Sequence, residues 1–216
     1  AAKAFKNCNL KEAIRCYGSA VEILMENNKF SMAAKIWKEM GALQEKDHDL
    51  KGALAAYDKA AQCFEADNAA ANASAMWIKV AGLSADNGDY NKAIKIYEKV
   101  SKTSVENSAL RWSVKGYLFK ALLCHFTLAA PSHKLDNVAT KVEQYVDLCP
   151  DLDNSREKEL ILDLIEDFNE NDPDKYAEHV FAFDEICKLD NWTASVLLKI
   201  KQSLENGNPD DNGVGV

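Results

Sequence analysis

The chain has 216 residues, 47% of them apolar and 28% charged, with a net charge of −8. That is enough apolar content for one or two domains with a sizeable core. No run of eighteen apolar residues occurs and no secretory leader pattern is found, so a membrane-spanning helix is excluded, and an acidic chain without a Lys/Arg block does not suit nucleic acid.

The charge is unevenly spread. After residue 150 there are 17 Asp and Glu against 6 Lys and Arg, a net of −11, which leaves +3 on the first 150 residues. A mildly basic body with an acidic end suits a protein that joins two partners of different charge. The six cysteines (Cys8, Cys16, Cys63, Cys124, Cys149, Cys187) form no C-x-x-C pair. They read as free thiols packed as small apolar residues in a reducing compartment, where the sequons at Asn72 and Asn191 are silent.

In chain order, "AAKAFKNCN" (1–9) reads as the tail of a helix whose beginning lies upstream, as in a truncated chain. "KEAIRCYGSA" (11–20) follows, and nearly the same wording returns as "KGALAAYDKA" (51–60) and "NKAIKIYEKV" (91–100). Ala13, Ala53 and Ala93 fall in one column, Ile14, Leu54 and Ile94 in the next, and Tyr17, Tyr57 and Tyr97 in a third. Their spacing is helical. A second helix precedes each later copy: "FSMAAKIWKEMGALQ" from 30, "NASAMWIKVAGLSA" from 72 and "WSVKGYLFKALLCHF" from 112. These align as well, with Ala33, Ala73 and Ser113 as small residues and Trp37, Trp77 and Tyr117 as gap-filling aromatics. The polar runs "ENNK" (26–29), "KDHD" (46–49), "ADN" (66–68), "DNGD" (86–89) and "APSH" (130–133) read as short helix–helix connections.

After about 130 the columns fade, although "KLDNVATKVEQYVDL", "SREKELILDLIEDFNEN", "PDKYAEHVFAFDEIC" and "NWTASVLLKIKQSLEN" remain helical in pattern. The expected fold is all-α: a right-handed, tetratricopeptide-like α-solenoid of antiparallel helix pairs with a period of about 40 and a C-terminal helical bundle that caps it. The expected boundaries are 1–130 for the solenoid, 131–205 for the bundle and 206–216 for a flexible acidic tail.

No catalytic signature stands out. His48, His125, His133 and His179 are scattered, and there is no phosphate-binding glycine loop, nucleophile elbow or zinc-ligand spacing. No enzyme activity, cofactor or metal is expected. His125, in "LLCHF", reads as a packed core residue. Adjacent acids such as Glu166 and Asp167 diverge by about 100° on a helix and do not converge on a substrate. The repeat suggests interaction instead. Lys35 has Ala75 and Lys115 as its equivalents at forty-residue steps, with Arg156 one step further after a single-residue slip and Lys79 one turn beyond Ala75. Equivalent positions of a solenoid line up, so these cations form a ladder suited to an acidic helical rod. A scaffold that captures extended peptide tails is the other reading open to such a groove.

The wording itself is also informative. "KVAGLSADNGDYNKAIKIYEKV" (79–100), "YLFKALLCHF" (117–126), "SREKELILDLIE" (155–166) and "LDNWTASVLLKIKQSL" (189–204), with "NNKFSMAAK" (27–35) and "KNCNLKEAIRCY" (6–17), resemble the alpha/beta type of soluble NSF attachment protein over nearly the whole chain. The resemblance implies a cytoplasmic adaptor, peripheral to membranes, that coats the SNARE four-helix bundle and recruits the hexameric AAA+ ATPase NSF to dismantle it. It implies SNARE-facing roles for Lys35, Lys79, Lys115 and Arg156, and NSF-facing roles for Glu166 and Glu170 with Asp163 and Asp167 beside them. The chain departs from the family pattern at Ala75 and Asn169, where charged residues are expected, and at Ala129, where an acid is expected. The family's bilayer-touching N-terminal loop has no counterpart in these residues. The end "NPDDNGVGV" has Gly215 where a penultimate Leu is expected.

Overall fold

The computed structural model describes residues 10–206. The expected helix tail at 1–9 and, but for Asn206, the expected acidic tail lie outside the described residues. Ten α-helices and two short 3-10 turns make up the described residues, and no strand is found among them. The helices are α1 (Leu10–Glu26), α2 (Phe30–Lys46), α3 (Leu50–Ala66), α4 (Ala70–Asp86), α5 (Tyr90–Val105), α6 (Arg111–Ala129), α7 (Asp136–Leu148), α8 (Arg156–Glu170), α9 (Pro173–Ile186) and α10 (Asn191–Asn206). The chain forms two compact units, residues 1–92 and 93–216. The boundary expected at 130, where the repeat wording fades, falls inside the second unit.

In the first unit four helices of 17 residues alternate with three-residue turns, and each helix packs on the next as in an α-solenoid repeat. The turns are copies of one another. Asn28, His48, Asn68 and Gly88 adopt left-handed backbone with φ of 54°, 61°, 54° and 84°. The amides that follow, at Lys29, Asp49, Ala69 and Asp89, donate to the carbonyls of Leu24, Gln44, Phe64 and Ser84 at 2.8–2.9 Å. This 6→1 closure satisfies carbonyls that a helix end otherwise leaves unpaired. Each turn reverses the chain identically, so the structural step is twenty residues. The forty-residue sequence period lies in the side chains, since the Ala and Tyr columns fall on every second helix. Caps alternate with them: Asp49 and Asp89 accept from the amides of Gly52 and Lys92 at 3.0 and 3.1 Å, whereas Lys29 and Ala69 provide no side-chain cap.

The predicted columns form the core. Ala13, Ala53 and Ala93 have no exposed surface, and Tyr17, Tyr57 and Tyr97 are buried. The tyrosine hydroxyls keep a polar partner: Tyr17 donates to Glu39 at 2.7 Å and Tyr57 to Glu45 at 2.8 Å. The small-residue column holds at Ala33 and Ala73 but not at Ser113, which is exposed.

In the second unit α6 is predominantly apolar after its first turn, as expected of a helix covered on several sides. Val114, Leu118, Ala121, Leu122, Leu123 and Phe126 are buried or nearly so, and α7, α8 and α10 all pack against this helix. Phe126 meets Phe168 of α8 edge-on at 5.5 Å, and Phe119 stacks on Phe183 of α9 at 5.9 Å. Asn171, left-handed at φ 57°, closes α8, and Asp172 then caps α9 by accepting from the amides of Asp174 and Lys175.

Candidate partner-binding surfaces

In the first unit Lys35 projects from α2, exposed and without an ion pair among the described residues, and its repeat equivalent on α4, Ala75, is also exposed. Lys79 is a tethered cation. Its ammonium lies 3.1 and 3.3 Å from the two oxygens of Glu45, which also accepts from the Tyr57 hydroxyl. Burial pushes the Glu45 carboxyl up, but the bonds from Tyr57 and Lys79 and the lysine's charge outweigh it and hold the group below its ordinary value.

In the second unit Lys115 pairs with Glu157 at 2.9 Å, joining α6 to the first turn of α8. Arg156, the first residue of α8, is exposed and makes no ion pair among the described residues. A cation there opposes the positive end of the helix dipole, so nothing in its own helix holds it. Two neighbours were not singled out from the sequence. Arg111 lies 3.8 Å from Asp151, and Trp112, one turn before Lys115, is 90% exposed. Only its three-residue spacing from Lys115 could have marked Trp112 as sharing that helix face.

On α8, Asp163, Glu166 and Glu170 follow i, i+3, i+7 spacing, and Glu166 and Glu170 are exposed. Asp163 is half-buried, and burial above all raises its carboxyl, with His179 pulling the other way and nearby acids adding to the rise. Asp167 corrects the expectation of a surface acid, because it is completely buried. One of its oxygens lies 2.7 Å from His179 Nδ1 and the other 3.9 Å from Lys175, so it ties α8 to α9 rather than facing a partner. That bond raises the His179 pKa against the opposing effect of burial. Asn169 is exposed, and Ala129, the last residue of α6, is half-buried.

His125 is not the simple core residue expected of it. Half-buried, it meets the Tyr145 hydroxyl at 3.2 Å, which donates to Glu98 at 2.7 Å, while Lys141 stands 3.6 Å from the same carboxylate. Burial first, then Lys141, lowers its pKa and favours the neutral ring. Cys16, Cys63, Cys124, Cys149 and Cys187 are free thiols, and Cys8 lies outside the described residues. Among the described residues no group of His, Cys, Asp and Glu could hold a metal, and no helix is long and apolar enough to cross a membrane.

Residues 1–205 match the family described as soluble NSF attachment protein. The chain belongs to that family. It is 35% identical over 211 residues to the alpha-soluble NSF attachment protein of Homo sapiens, an alignment covering 97% of this chain and 70% of the relative. It is 32% identical over 212 residues to the beta-soluble NSF attachment protein of Bos taurus, covering 98% and 70%. The probable vesicular-fusion protein sec17 homolog of Schizosaccharomyces pombe is 36% identical over 113 residues, so the alignment spans 51% of this chain and 37% of that relative. As a soluble NSF attachment protein, the chain is built on an α-helical repeat frame.

Proposed function

We propose that this chain is a non-enzymatic adaptor of vesicle fusion and intracellular transport. It binds the assembled SNARE four-helix bundle through Lys35, Lys79, Lys115 and Arg156, and recruits NSF through the acidic face of α8 at Asp163, Glu166 and Glu170, so that ATP hydrolysis by NSF dismantles the bundle. The observation that carries this reading is family membership over residues 1–205. Asp167 supports it from within, by fixing α9 against the acidic helix through His179. The working place is the cytosolic face of membranes.

Exposed ion pairs contribute on the order of 0.2–1 kcal/mol each and weaken with salt. Three such contacts, those of Lys35, Lys115 and Arg156, then amount to about three- to about 150-fold in affinity. Tight coating of a rod therefore calls for several copies acting together.

The test is binding to an assembled SNARE bundle across a salt series, with a folded Lys35→Glu, Lys115→Gln, Arg156→Glu variant alongside. Gln at 115 avoids setting a second carboxylate against Glu157. Binding should fall with salt and drop at least about threefold in the variant, while Lys51→Glu and Lys95→Glu leave it near the original level. Binding that ignores both salt and the triple substitution would refute this surface. Failure to bind any bundle at low salt would move the peptide-tail scaffold ahead.

A further inference from the structure

The groove between α9 and α10 in the second unit has no role in the reading above, and the inference drawn from it does not rest on that reading. Its volume is about 420 Å3. Each helix contributes a stripe at i, i+4, i+7: Ala177, Phe181 and Asp184 from α9, and Ala194, Leu198 and Lys201 from α10. Small residues open the groove and large apolar ones wall it. Phe181 is 65% exposed and Leu198 57%, and Ile186 at the end of α9 is 60% exposed.

These side chains are surplus to the core. The inward side of α9 is already filled by Tyr176, which is buried and donates to the Leu197 carbonyl, and by Phe183 on Phe119. An exposed cluster of this kind beside a groove marks an interaction surface.

The charges beside it indicate the occupant. Over 173–186, α9 carries four acids (Asp174, Glu178, Asp184, Glu185) and one lysine, Lys175. Asp184 is engaged by Lys188 at 3.0 Å and by the Leu189 amide, and Lys201 by Glu205 at 3.4 Å. Glu178 and Glu185 are exposed three residues before and four after Phe181, which puts them on its side of the helix.

We propose that this groove docks an amphipathic helix of a partner protein. Leu, Ile or Phe anchors seat against Phe181 and Leu198, and Lys or Arg residues run along the edge that faces Glu178 and Glu185. A furrow between two packed helices takes a third by ridge-into-groove packing. The same acids set the surface against anionic lipid.

The probe is a labelled 16-residue peptide with Leu along one face and Lys along one edge, titrated against the full chain and compared with a version carrying Glu in place of Lys. The Lys peptide should bind saturably and the Glu peptide at least tenfold more weakly. A Phe181→Ser, Leu198→Ser variant should lose at least tenfold, while Leu128→Ser, which removes another exposed apolar side chain of the same unit, should bind as the original does. Because Phe181 and Leu198 contribute little to the core, unchanged helical content and melting should accompany that loss. Equal binding by the double-serine variant would reduce the interaction to unspecific charge and overturn the proposal. So would the absence of saturable binding, adsorption to phosphatidylserine vesicles that the serines abolish, or self-association that they abolish; the last two would assign the groove to a lipid surface or to a second copy.

Discussion

Replacing Gly41 by Ala tests how closely α2 and α3 approach. A Cβ built at this position lies 2.9 Å from Tyr57 Cε1 and 3.0 Å from two further ring carbons. Tyr57 is poorly placed to give way, because its ring is 3% exposed and its hydroxyl is held at 2.8 Å by Glu45, itself bonded to Lys79. Overpacking of this kind costs about 1–3 kcal/mol, while removing a glycine from a helix interior returns about 1 kcal/mol. The net expectation is a loss of about 1 kcal/mol. Gly18, in the interior of α1, provides the reference, since a Cβ there meets nothing within 4 Å and the same substitution should gain about 0.5–1 kcal/mol. Urea unfolding of the two variants should therefore give midpoints on opposite sides of the original, separated by about 2 kcal/mol. If Gly41→Ala stabilises as much as Gly18→Ala, the α2–α3 approach is looser than described and the tyrosine column does not set the helix spacing.

The turns give a second test: His48 holds a left-handed conformation that costs a non-glycine residue about 1–2 kcal/mol, offset in glycine by an entropy loss of about 0.5–1 kcal/mol. His48→Gly should raise the unfolding midpoint slightly and His48→Val lower it, and a loss of equal size in both would mean that the imidazole is needed for another reason. The third concerns pH. His179 has its pKa raised by Asp167, with Asp163 adding to the rise and Lys175 opposing it. Its stabilising contribution is fully present below the unfolded value of about 6.5 and is lost as pH rises through the higher folded value. The advantage of the original chain over Asp167→Asn should accordingly shrink as pH rises from about 6 through the folded value, and NMR titration of His179 should show its pKa fall in the variant; an unchanged His179 titration would refute the pairing.

The helices were legible because burial repeats. A position that meets the core in one pair meets it forty residues on, so Ala13, Ala53 and Ala93, and the three tyrosines, announce themselves as columns. The twenty-residue turn was harder to see, because a left-handed residue can be Asn, His or Gly; the shared property is a backbone angle. Surface charge was legible in type but not in state. Lys35 and Lys79 look alike as letters, yet among the described residues one is unpaired and the other is held by Glu45. Asp167 escaped because it sits one position beyond the exposed Glu166. A turn of about 100° takes it from solvent to a buried site where His179 makes a carboxylate tolerable.

The pairing state also bears on how a basic surface of this kind would work. For Lys79 or Lys115 to reach an external carboxylate, each must loosen its hold on Glu45 or Glu157, so one ion pair replaces another and little is gained. Net attraction would then come from the two of these four cations that hold no partner among the described residues, Lys35 and Arg156, one in each unit. Ala75, where the repeat equivalent of Lys35 carries no charge, keeps the number low. Such a surface binds weakly per copy and exchanges quickly, while many copies on one rod still hold by avidity. On the proposed function, that would suit a coat that forms and is then released. Ala75→Lys should tighten single-copy binding to an acidic helical bundle by a few-fold at low salt and leave it unchanged at high salt, as measured by titration at two ionic strengths. A gain that persists at high salt would mean that the lysine stem, not its charge, made the new contact.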